Sequence, residues 1–174
     1  MEHICKYRSP VGNITIACDG ENLVGLCFGG RECEEAIHLG ETEEKKVQVL
    51  EDTCKWLDIY FSGEEPKFKL PIHMRGSDFR KMVWEILLTI PYGETTTYGE
   101  IARIIEKRRG IFRMSAQAVG GAVGHNPIAI VIPCHRVIGA NGSLTGYAGG
   151  IEKKMRLLSL EKSGTDVRGS GEHI

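Results

Sequence analysis

Apolar and polar residues alternate in the first part of the chain, a pattern typical of strands with one buried face. Residues 13–17 follow this alternation, and residues 23–28 form a second apolar run. Asp19 and Gly20 lie between the two runs, and Asp-Gly is a frequent turn of β-hairpins. The pattern therefore predicts an antiparallel ribbon over residues 9–30.

The spacing changes after this ribbon. Residues 32–46 are strongly charged, and we expect a helix followed by a loop. From Val47 the apolar residues recur every three or four positions, which predicts a helix that ends at Gly63. Its apolar stripe consists of Leu50, Cys54, Leu57 and Phe61. Residues 68–72 are predicted to form another short strand.

Four more helices are predicted in the second half. Ser77 is a candidate N-cap, and residues 91–93 (Pro-Tyr-Gly) end the helix after it. Residues 97–100 (Thr-Tyr-Gly-Glu) form a capping box, where the next helix begins, and Ser115 caps a third that ends near Val123. The basic connection between these two helices favours a helix-turn-helix, with an ordinary helical hairpin as the alternative. The last helix is predicted to carry its apolar residues on one side, at Ile151, Met155, Leu157 and Leu158.

The third of these helices has almost no side-chain bulk. Glycine costs a helix about 1 kcal/mol relative to alanine, so this composition indicates close approach to another surface. Helices that read bases in the major groove carry long polar side chains instead. A helix this thin suits the minor groove of DNA, where a protein that ignores base sequence presses against the backbone. Its small residues are Ala116, Ala118, Gly120, Gly121, Ala122 and Gly124.

A cysteine at position 134 is the candidate nucleophile. Residues 130–132 are β-branched, which predicts a short buried strand, and Pro133 ends it. We therefore expect Cys134 at a strand end, directly before His135 and Arg136. A thiol attacks as its thiolate, and neighbouring cations lower the pKa of a cysteine. From these residues alone, a packing role for the free cysteine stays open as the alternative.

The distribution of charge changes the picture of the whole chain. Its 174 residues are enough for one large domain or two small ones. The net charge is −1, yet residues 1–74 carry 8 Lys and Arg against 14 Asp and Glu, whereas residues 75–162 carry 13 against 7. This division predicts two domains and a polyanionic partner for the second, with ordinary surface variation as the alternative.

Composition also bears on compartment and metal content. No apolar run is long enough for a membrane span and no secretory signal opens the chain, so we expect a cytoplasmic protein, or a nuclear one in a eukaryote. Six cysteines are present, five of them in the first 54 residues. We expect no disulfides, because cytosolic thiols stay reduced. No spacing of a strong metal motif is present, so a structural zinc in the first third is a minor alternative without support.

Several motifs together resemble one protein family. Pro-Cys-His-Arg-Val at residues 133–137 resembles the active-site signature of the O6-alkylguanine-DNA alkyltransferases. Phe-Arg-Lys-x-Val-Trp at residues 79–84 and Ile-Pro-x-Gly at residues 90–93 are similar to the same family. Ser-Pro-Val-Gly at residues 9–12 resembles its opening strand, although the first half matches only in outline.

The resemblance implies a fold of the α/β (α+β) class. A small ribonuclease-H-like α/β domain is expected over residues 1–74. A mainly helical domain with a winged-helix-like helix-turn-helix and the active site is expected over residues 75–163. The tail, residues 164–174, is small and polar, and its composition predicts disorder.

The resemblance also implies roles for single residues. Cys134 is expected to be the nucleophile and alkyl acceptor, His135 its base through a water molecule, and Glu161 the acid that orients His135. An isolated glutamate near a helix end is otherwise most often an exposed charge. Tyr98 is expected to help rotate the nucleotide and to donate a proton to the purine. The remaining implied residues are Asn126 as a hinge, Tyr147 and Ala148 of the glycine-rich loop as base contacts, and the backbone of Val137.

The chain departs from the family at the third helix. Gln117 stands where an arginine usually enters the base stack as the damaged base leaves, and the connection before it is a few residues longer. The amide of Gln117 and the guanidinium of Arg113 are both candidates for that task. Ser115 and Arg136 complete the expected binding residues, and Arg136 is expected to hold the active-site turn or the hinge.

The predicted function is DNA repair by direct reversal of damage. The alkyl group is expected to move from O6-alkylguanine in double-stranded DNA to Cys134, irreversibly and once per molecule, without a cofactor, by a monomer that contacts the minor groove. A non-catalytic module that binds alkylated DNA is the main alternative, although family relatives of that kind lack the cysteine. A thiol hydrolase leaves the thin helix and the charge division unexplained. A transcription regulator needs base-reading side chains that the third helix lacks.

Overall fold

A four-stranded sheet forms the first half of the protein. The computed structural model describes residues 2–29, 42–44, 47–144, 146–147 and 149–164. The sheet has the order β3-β2-β1-β4, with β4 parallel to β1 and the other neighbours antiparallel. Its strands are β1 (Glu2–Ser9), β2 (Gly12–Cys18), β3 (Leu23–Phe28) and β4 (Thr42–Glu44).

The predicted ribbon is confirmed as the β2–β3 hairpin. The carboxylate of Asp19 accepts hydrogen bonds from the backbone N–H groups of Glu21 and Asn22, at 3.0 and 2.7 Å, which closes the turn. The prediction missed β1, which ends at Ser9. Residues 10–11 form the turn to β2, which begins at Gly12, so the Ser-Pro-Val-Gly motif spans this turn and does not form a strand by itself. The prediction of a helix within residues 32–46 is wrong at residues 42–44, which form strand β4. Residues 30–41 and 45–46 lie outside the described residues. Residues 165–174 of the predicted disordered tail lie outside them as well.

The helix predicted after residue 47 is confirmed as α1 (Gln48–Phe61). It lies on the sheet and ends two residues before Gly63, which has a φ of +93°. The buried face includes Leu50 and Leu57, as expected, but it also includes Tyr60. The strand predicted over residues 68–72 is reduced to a single bridge to β3 at Ile72.

The first three helices of the second half follow their predicted caps. Helix α2 (Asp78–Leu87) begins after Ser77, whose hydroxyl accepts a hydrogen bond from a backbone N–H of the first turn. Helices α3 (Tyr98–Arg109) and α4 (Ala116–Gly124) are capped in the same way by Thr97 and Ser115. All three pack together, and the indole N–H of Trp84 donates to the carbonyl of Ala122 at 2.9 Å. The two helices and the basic connection predicted for a helix-turn-helix are therefore present. A short parallel pair, β5 (Thr96–Thr97) and β6 (Val137–Ile138), links the start of α3 to the active-site turn.

Helix α5 (Ile151–Ser163) is present, but only part of its predicted face is confirmed, since Leu157 is buried and Leu158 is partly buried. Ile151 and Met155 are exposed. The buried positions include three charged residues, because the helix covers a polar site and not only an apolar core. They are Lys154, Arg156, Leu157, Leu160 and Glu161. Within the described ranges, the structure contains no helix long and apolar enough to cross a membrane.

The two halves share one hydrophobic core. The outer edge of β3 connects them. The carbonyl of Leu26 accepts from the backbone N–H of Ala129 at 2.8 Å, and its N–H donates to the carbonyl of Pro127 at 2.9 Å. The predicted strand over residues 130–132 is wrong: these residues form a turn, with the N–H of Ile132 bonded to the carbonyl of Ile128. Burial of their apolar side chains explains the β-branched run. Ile130 has a φ of +68°, a conformation that is rare for a β-branched residue.

Candidate active site

Cys134 begins a short 3₁₀ turn, Cys134–Arg136, directly after Pro133. Its N–H donates to the carbonyl of Ile132 at 2.8 Å. The same carbonyl accepts from the side-chain amide of Asn126 at 2.8 Å, and the amide oxygen of Asn126 accepts from the N–H of Ile128 at 3.0 Å. Both ends of the Asn126 amide are therefore used, and they fix the chain that leads from α4 to the cysteine.

The thiol of Cys134 is buried but reaches a cavity. The residue is 8% exposed and lines a cavity of about 420 Å³, together with Asn126, Gly146 and Tyr147. Burial raises the pKa of Cys134, against the opposing effects of a hydrogen bond from Asn126 and the charge of Lys154. The expectation that neighbouring cations lower this pKa is therefore wrong in its net direction, because desolvation of the thiolate outweighs them. The thiol is held in its protonated form and needs a base.

His135 and Glu161 form a buried pair beside the thiol. His135 is fully buried, and its Nε2 is hydrogen-bonded to Oε2 of Glu161. Burial lowers the pKa of His135 and outweighs the opposite effect of Glu161. A neutral imidazole with its proton on Nε2, donated to Glu161, leaves Nδ1 as a free lone pair. Within the described residues, this buried Nδ1 has no hydrogen-bond partner.

Glu161 is held by four donors. Its Oε1 accepts from Nε of Arg136 at 2.7 Å and from the N–H of Gly93 at 3.1 Å. Its Oε2 accepts from the hydroxyl of Tyr60 at 2.6 Å as well as from His135. Burial raises the pKa of Glu161, but the hydrogen bonds and charges of His135 and Arg136 prevail and lower it to about 2. The alternative of an exposed surface charge is excluded, since Glu161 is 6% exposed.

Arg136 is built into this network and does not face the cavity at Cys134. Its Nη1 donates to the carbonyl of Ile90 at 2.8 Å, and its guanidinium lies 5.6 Å from the ring centre of Tyr92. These contacts connect the active-site turn to the end of α2. They agree with a structural position for Arg136, as expected for a residue that holds the turn.

Two tyrosines with predicted roles, the proton donor Tyr98 and the base contact Tyr147, lie near the thiol. Tyr98 is the first residue of α3, and its ring lies beside Gly120 of α4, with its hydroxyl close to Gly146. Burial, and to a lesser extent the charge of Cys134, raises the pKa of Tyr98, so its hydroxyl stays protonated at neutral pH. Tyr147 packs edge-on against Phe28, with ring centres 6.3 Å apart.

The remaining observations on the predicted base contacts concern Val137, Ala148 and the hydroxyl of Tyr147. The carbonyl of Val137 accepts a hydrogen bond of 2.5 Å from Nζ of Lys154. Ala148 lies outside the described residues. The hydroxyl of Tyr147 is buried, and it has no hydrogen-bond partner in the part of the chain that the structure describes.

The start of α4 forms an exposed surface away from the buried pair. Ser115 accepts from the N–H groups of Gln117 and Ala118, at 3.1 and 3.2 Å. Gln117 and Arg113 are both exposed. Open space surrounds the positions where Gly121 and Gly124 lack a side chain, so the outer face of α4 is accessible as the thin helix predicts.

Two residues of the site were missed from the sequence. Tyr60 comes from α1, whose predicted stripe omitted it, and Lys154 is fully buried on α5. Spacing contained a signal for both: Tyr60 lies three positions after Leu57, and Lys154 lies seven before Glu161, on the same helical face. That spacing by itself does not show that a polar side chain is buried, because the groups it bonds to are distant in the chain.

The cysteines of the first half do not form a metal site in the described part of the chain. No group of three or more His, Cys, Asp or Glu residues there is placed to hold a metal ion. Cys5, Cys18 and Cys54 are not disulfide-bonded. Cys27 is disulfide-bonded, which contradicts the expectation of no disulfides. That expectation came from the compartment alone, which does not determine which thiols approach one another.

Together these contacts place a buried thiol beside a neutral imidazole that a carboxylate orients. This is the arrangement of nucleophile, base and orienting acid. It differs from a hydrolase site in the surface that adjoins it, which is a thin, exposed helix following a basic connection. The thiol is thus placed to attack a group delivered to the cavity from that surface.

Comparisons with known proteins match both halves of the chain. The family model described as "6-O-methylguanine DNA methyltransferase, ribonuclease-like domain" matches residues 4–74, and the one described as "6-O-methylguanine DNA methyltransferase, DNA binding domain" matches residues 78–163. The methylated-DNA–protein-cysteine methyltransferase of Mycobacterium tuberculosis is 46% identical over 94% of each chain. That of Methanosarcina acetivorans is 44% identical over 90% of this chain and 96% of its own. The crystal structure of Mycobacterium tuberculosis OGT in complex with DNA covers 94% of this chain and 95% of its own, with 43% identity and a TM-score of 0.79.

Proposed function

The chain belongs to the 6-O-methylguanine DNA methyltransferase family, and we propose that Cys134 is the cysteine to which it transfers the alkyl group. The protein binds DNA and repairs it by moving an alkyl group from O6-alkylguanine to its own cysteine. The observation that supports Cys134 is its place in a turn beside the buried His135–Glu161 pair.

In the proposed mechanism, His135 is the base. Its Nδ1 takes the thiol proton through a water molecule, while Glu161 holds Nε2 and stabilises the imidazolium that forms. The sulfur of Cys134 then forms a bond to the alkyl carbon, the bond from that carbon to O6 breaks, and its electron pair goes to the guanine. Tyr98 donates a proton to N3 of the guanine as charge develops, and the proton held by His135 later replaces it through solvent.

The product explains why each molecule acts once. A thioether has no good leaving group, so water does not regenerate the thiol. Displacement at carbon requires only the thiol and its base, and we propose that no cofactor takes part. The substrate also implies that the protein acts where DNA is, in the cytoplasm of a prokaryote or the nucleus of a eukaryote.

The DNA is proposed to lie along α4. The base must leave the stack before its O6 group can reach a thiol buried behind Tyr98 and Tyr147. The small residues of α4 suit close approach to the minor groove, and the basic connection before it supplies phosphate contacts. Gln117 and Arg113 are both exposed there and are the candidates to occupy the space left by the base. We propose that a monomer is sufficient, because all these residues come from one chain.

Intact-protein mass spectrometry tests this proposal. The wild-type protein and Cys134→Ser are each incubated with duplex DNA that contains one O6-methylguanine. We expect a gain of one methyl group, mapped to Cys134 by peptide analysis and absent from the variant. Tight binding without any mass gain would instead indicate a non-catalytic lesion-binding module, and methylation at another cysteine would refute the assignment of Cys134.

A further inference from the structure

A tyrosine from the first half of the chain reaches the Glu161–His135 pair. The hydroxyl of Tyr60 donates to Oε2 of Glu161 at 2.6 Å and lies 3.5 Å from Nε2 of His135. Tyr60 is fully buried, and its ring is stacked on Trp56 at 5.5 Å between ring centres. The hydroxyl is therefore fixed by packing and not free to rotate away from the carboxylate.

Tyr60 and His135 share one oxygen of Glu161. The other oxygen is already occupied by Arg136 and the N–H of Gly93. Burial, followed by the charge of Glu161, raises the pKa of Tyr60 well above its usual value, so the phenol stays protonated and keeps donating. A second donor on Oε2 reduces the negative charge that this oxygen presents to the imidazole.

We propose that Tyr60 is a positioning residue that holds Oε2 of Glu161 and limits how strongly this carboxylate favours the charged form of His135. This inference rests on the proposed role of His135 as the base. It gives the first half of the chain a part in alkyl transfer, through a hydrogen bond between residues 101 positions apart in sequence.

The close contact between α1 and α5 supports a fixed position for Tyr60. Gly63 follows α1 and Gly164 follows α5, and a side chain at Gly63 would overlap the backbone of Gly164. The helix ends therefore meet backbone to backbone, next to Tyr60 and Glu161. Small movements of α1 would change the hydrogen bond directly.

Tyr60→Phe is the variant that isolates the hydroxyl, because it retains the ring and its packing. Without the second donor, Glu161 favours the imidazolium more strongly, and the pKa of His135 rises. The base is then neutral only at higher pH. The other ionisable groups that face the pair are unchanged by the substitution: Arg136 and Cys134 on the turn, Lys154 on α5, and Tyr92 and Tyr147 on neighbouring loops.

The measurement is the single-turnover rate of methyl transfer from duplex DNA as a function of pH. We expect the acidic limb of the Tyr60→Phe profile to move up by about one pH unit, since a hydrogen bond to a charged group is worth about that much. At the pH values of the acidic limb, transfer by Tyr60→Phe is then about tenfold slower than transfer by the wild type, and on the plateau the two rates agree within about threefold.

Tyr7→Phe is the matched control. The hydroxyl of Tyr7, on β1, donates to Oδ1 of Asp58, on α1, at 2.5 Å. This hydrogen bond is exposed and does not involve the Glu161–His135 pair. We expect its pH profile to match that of the wild-type protein. DNA affinity, measured for Tyr60→Phe in a Cys134→Ser background, is expected to be unchanged.

Three results would overturn the proposal. The first is a Tyr60→Phe profile that coincides with the wild type. The second is an equal loss of rate at every pH together with a lower melting temperature, which would mean that the hydroxyl only stabilises the fold. The third is a shift of the limb that persists unchanged in a Glu161→Gln background, where the shared carboxylate is gone. Failure of the wild-type protein to methylate Cys134 would instead refute the proposed function, so the two failures are distinguishable.

Discussion

Glu161→Gln removes one negative charge from the active site while it keeps the size of the side chain. The carboxylate accepts from four donors: Tyr60, His135, Arg136 and the N–H of Gly93. A glutamine offers one oxygen, and its NH₂ group then faces two of these donors instead of accepting from them. The guanidinium of Arg136 loses its counter-charge in a buried position.

The expected loss of stability follows from two independent arguments. Removal of one partner from a buried ion pair costs roughly 3–5 kcal/mol, because the other charge stays desolvated. The pKa of Glu161, lowered from 4.5 to about 2, corresponds to about 3 kcal/mol of stability at neutral pH. At about 2–4 °C per kcal/mol for a protein of this length, the melting temperature falls by roughly 10 °C.

The effect on methyl transfer has a different origin. Without the carboxylate, His135 loses the group that sets its tautomer and stabilises its charged form. General-base catalysis is worth about 10²- to 10⁴-fold in rate, and we expect at least a hundredfold slower transfer. The variant should still bind DNA containing O6-methylguanine, because the surface at α4 is untouched.

Thermal unfolding followed by circular dichroism and single-turnover methyl transfer are the two assays. Glu152→Gln is the control, since Glu152 lies on the same helix but is exposed. It is expected to change the melting temperature by no more than about 2 °C. A Glu161→Gln protein that melts within this range of the wild type would refute the reasoning, because the buried pair would then contribute nothing. The double variant Glu161→Gln, Arg136→Met should regain part of the stability but none of the rate.

Three further outcomes are expected. The contribution of Glu161 to stability is present above its unfolded pKa near 4.5 and is lost as pH falls towards 2. In urea unfolding at a series of acidic pH values, the difference in unfolding free energy between the wild type and Glu161→Gln should therefore close over that range. A constant difference would contradict the assignment. Methylation of Cys134 adds volume to a buried position, and calorimetry should show a destabilisation of about 1–3 kcal/mol, whereas an unchanged or raised melting temperature would count against it. Gly63→Ala places a Cβ against the backbone of Gly164 at a φ of +93°, and it should lower the free energy of unfolding in urea by about 2 kcal/mol. Gly20→Ala is the control, because Gly20 also has a positive φ but has open space around it, so only the backbone strain should be lost there.

Local signals in the sequence were sufficient for most of the helices. The caps at Ser77, Thr97 and Ser115 bond to backbone groups two or three residues away, so the sequence alone determines where α2, α3 and α4 begin. The β2–β3 hairpin follows from the turn at Asp19 for the same reason. The motif around Cys134 identified the family, since its residues are contiguous in the chain.

Tertiary structure decided what those signals left open. Residues 130–132 have the composition of a strand but form a turn, because their apolar side chains are buried while the edge of β3 pairs with the residues just before them. The buried face of α5 contains Lys154 and Glu161, because its partners are the carbonyl of Val137 and the side chain of His135 and not only an apolar core. Periodicity ranks positions by hydrophobicity and therefore assigns charged residues to the surface.

The contact between Tyr60 and Glu161 is the clearest example of a feature that the sequence alone does not predict. The sequence predicts a helix that contains Tyr60 and a helix that contains Glu161, and it offers no reason to connect them across 101 positions. Only the packing of α1 against the end of α5 brings the hydroxyl to the carboxylate. Its energy depends on the burial of both groups, and burial is a property of the folded chain and not of either segment.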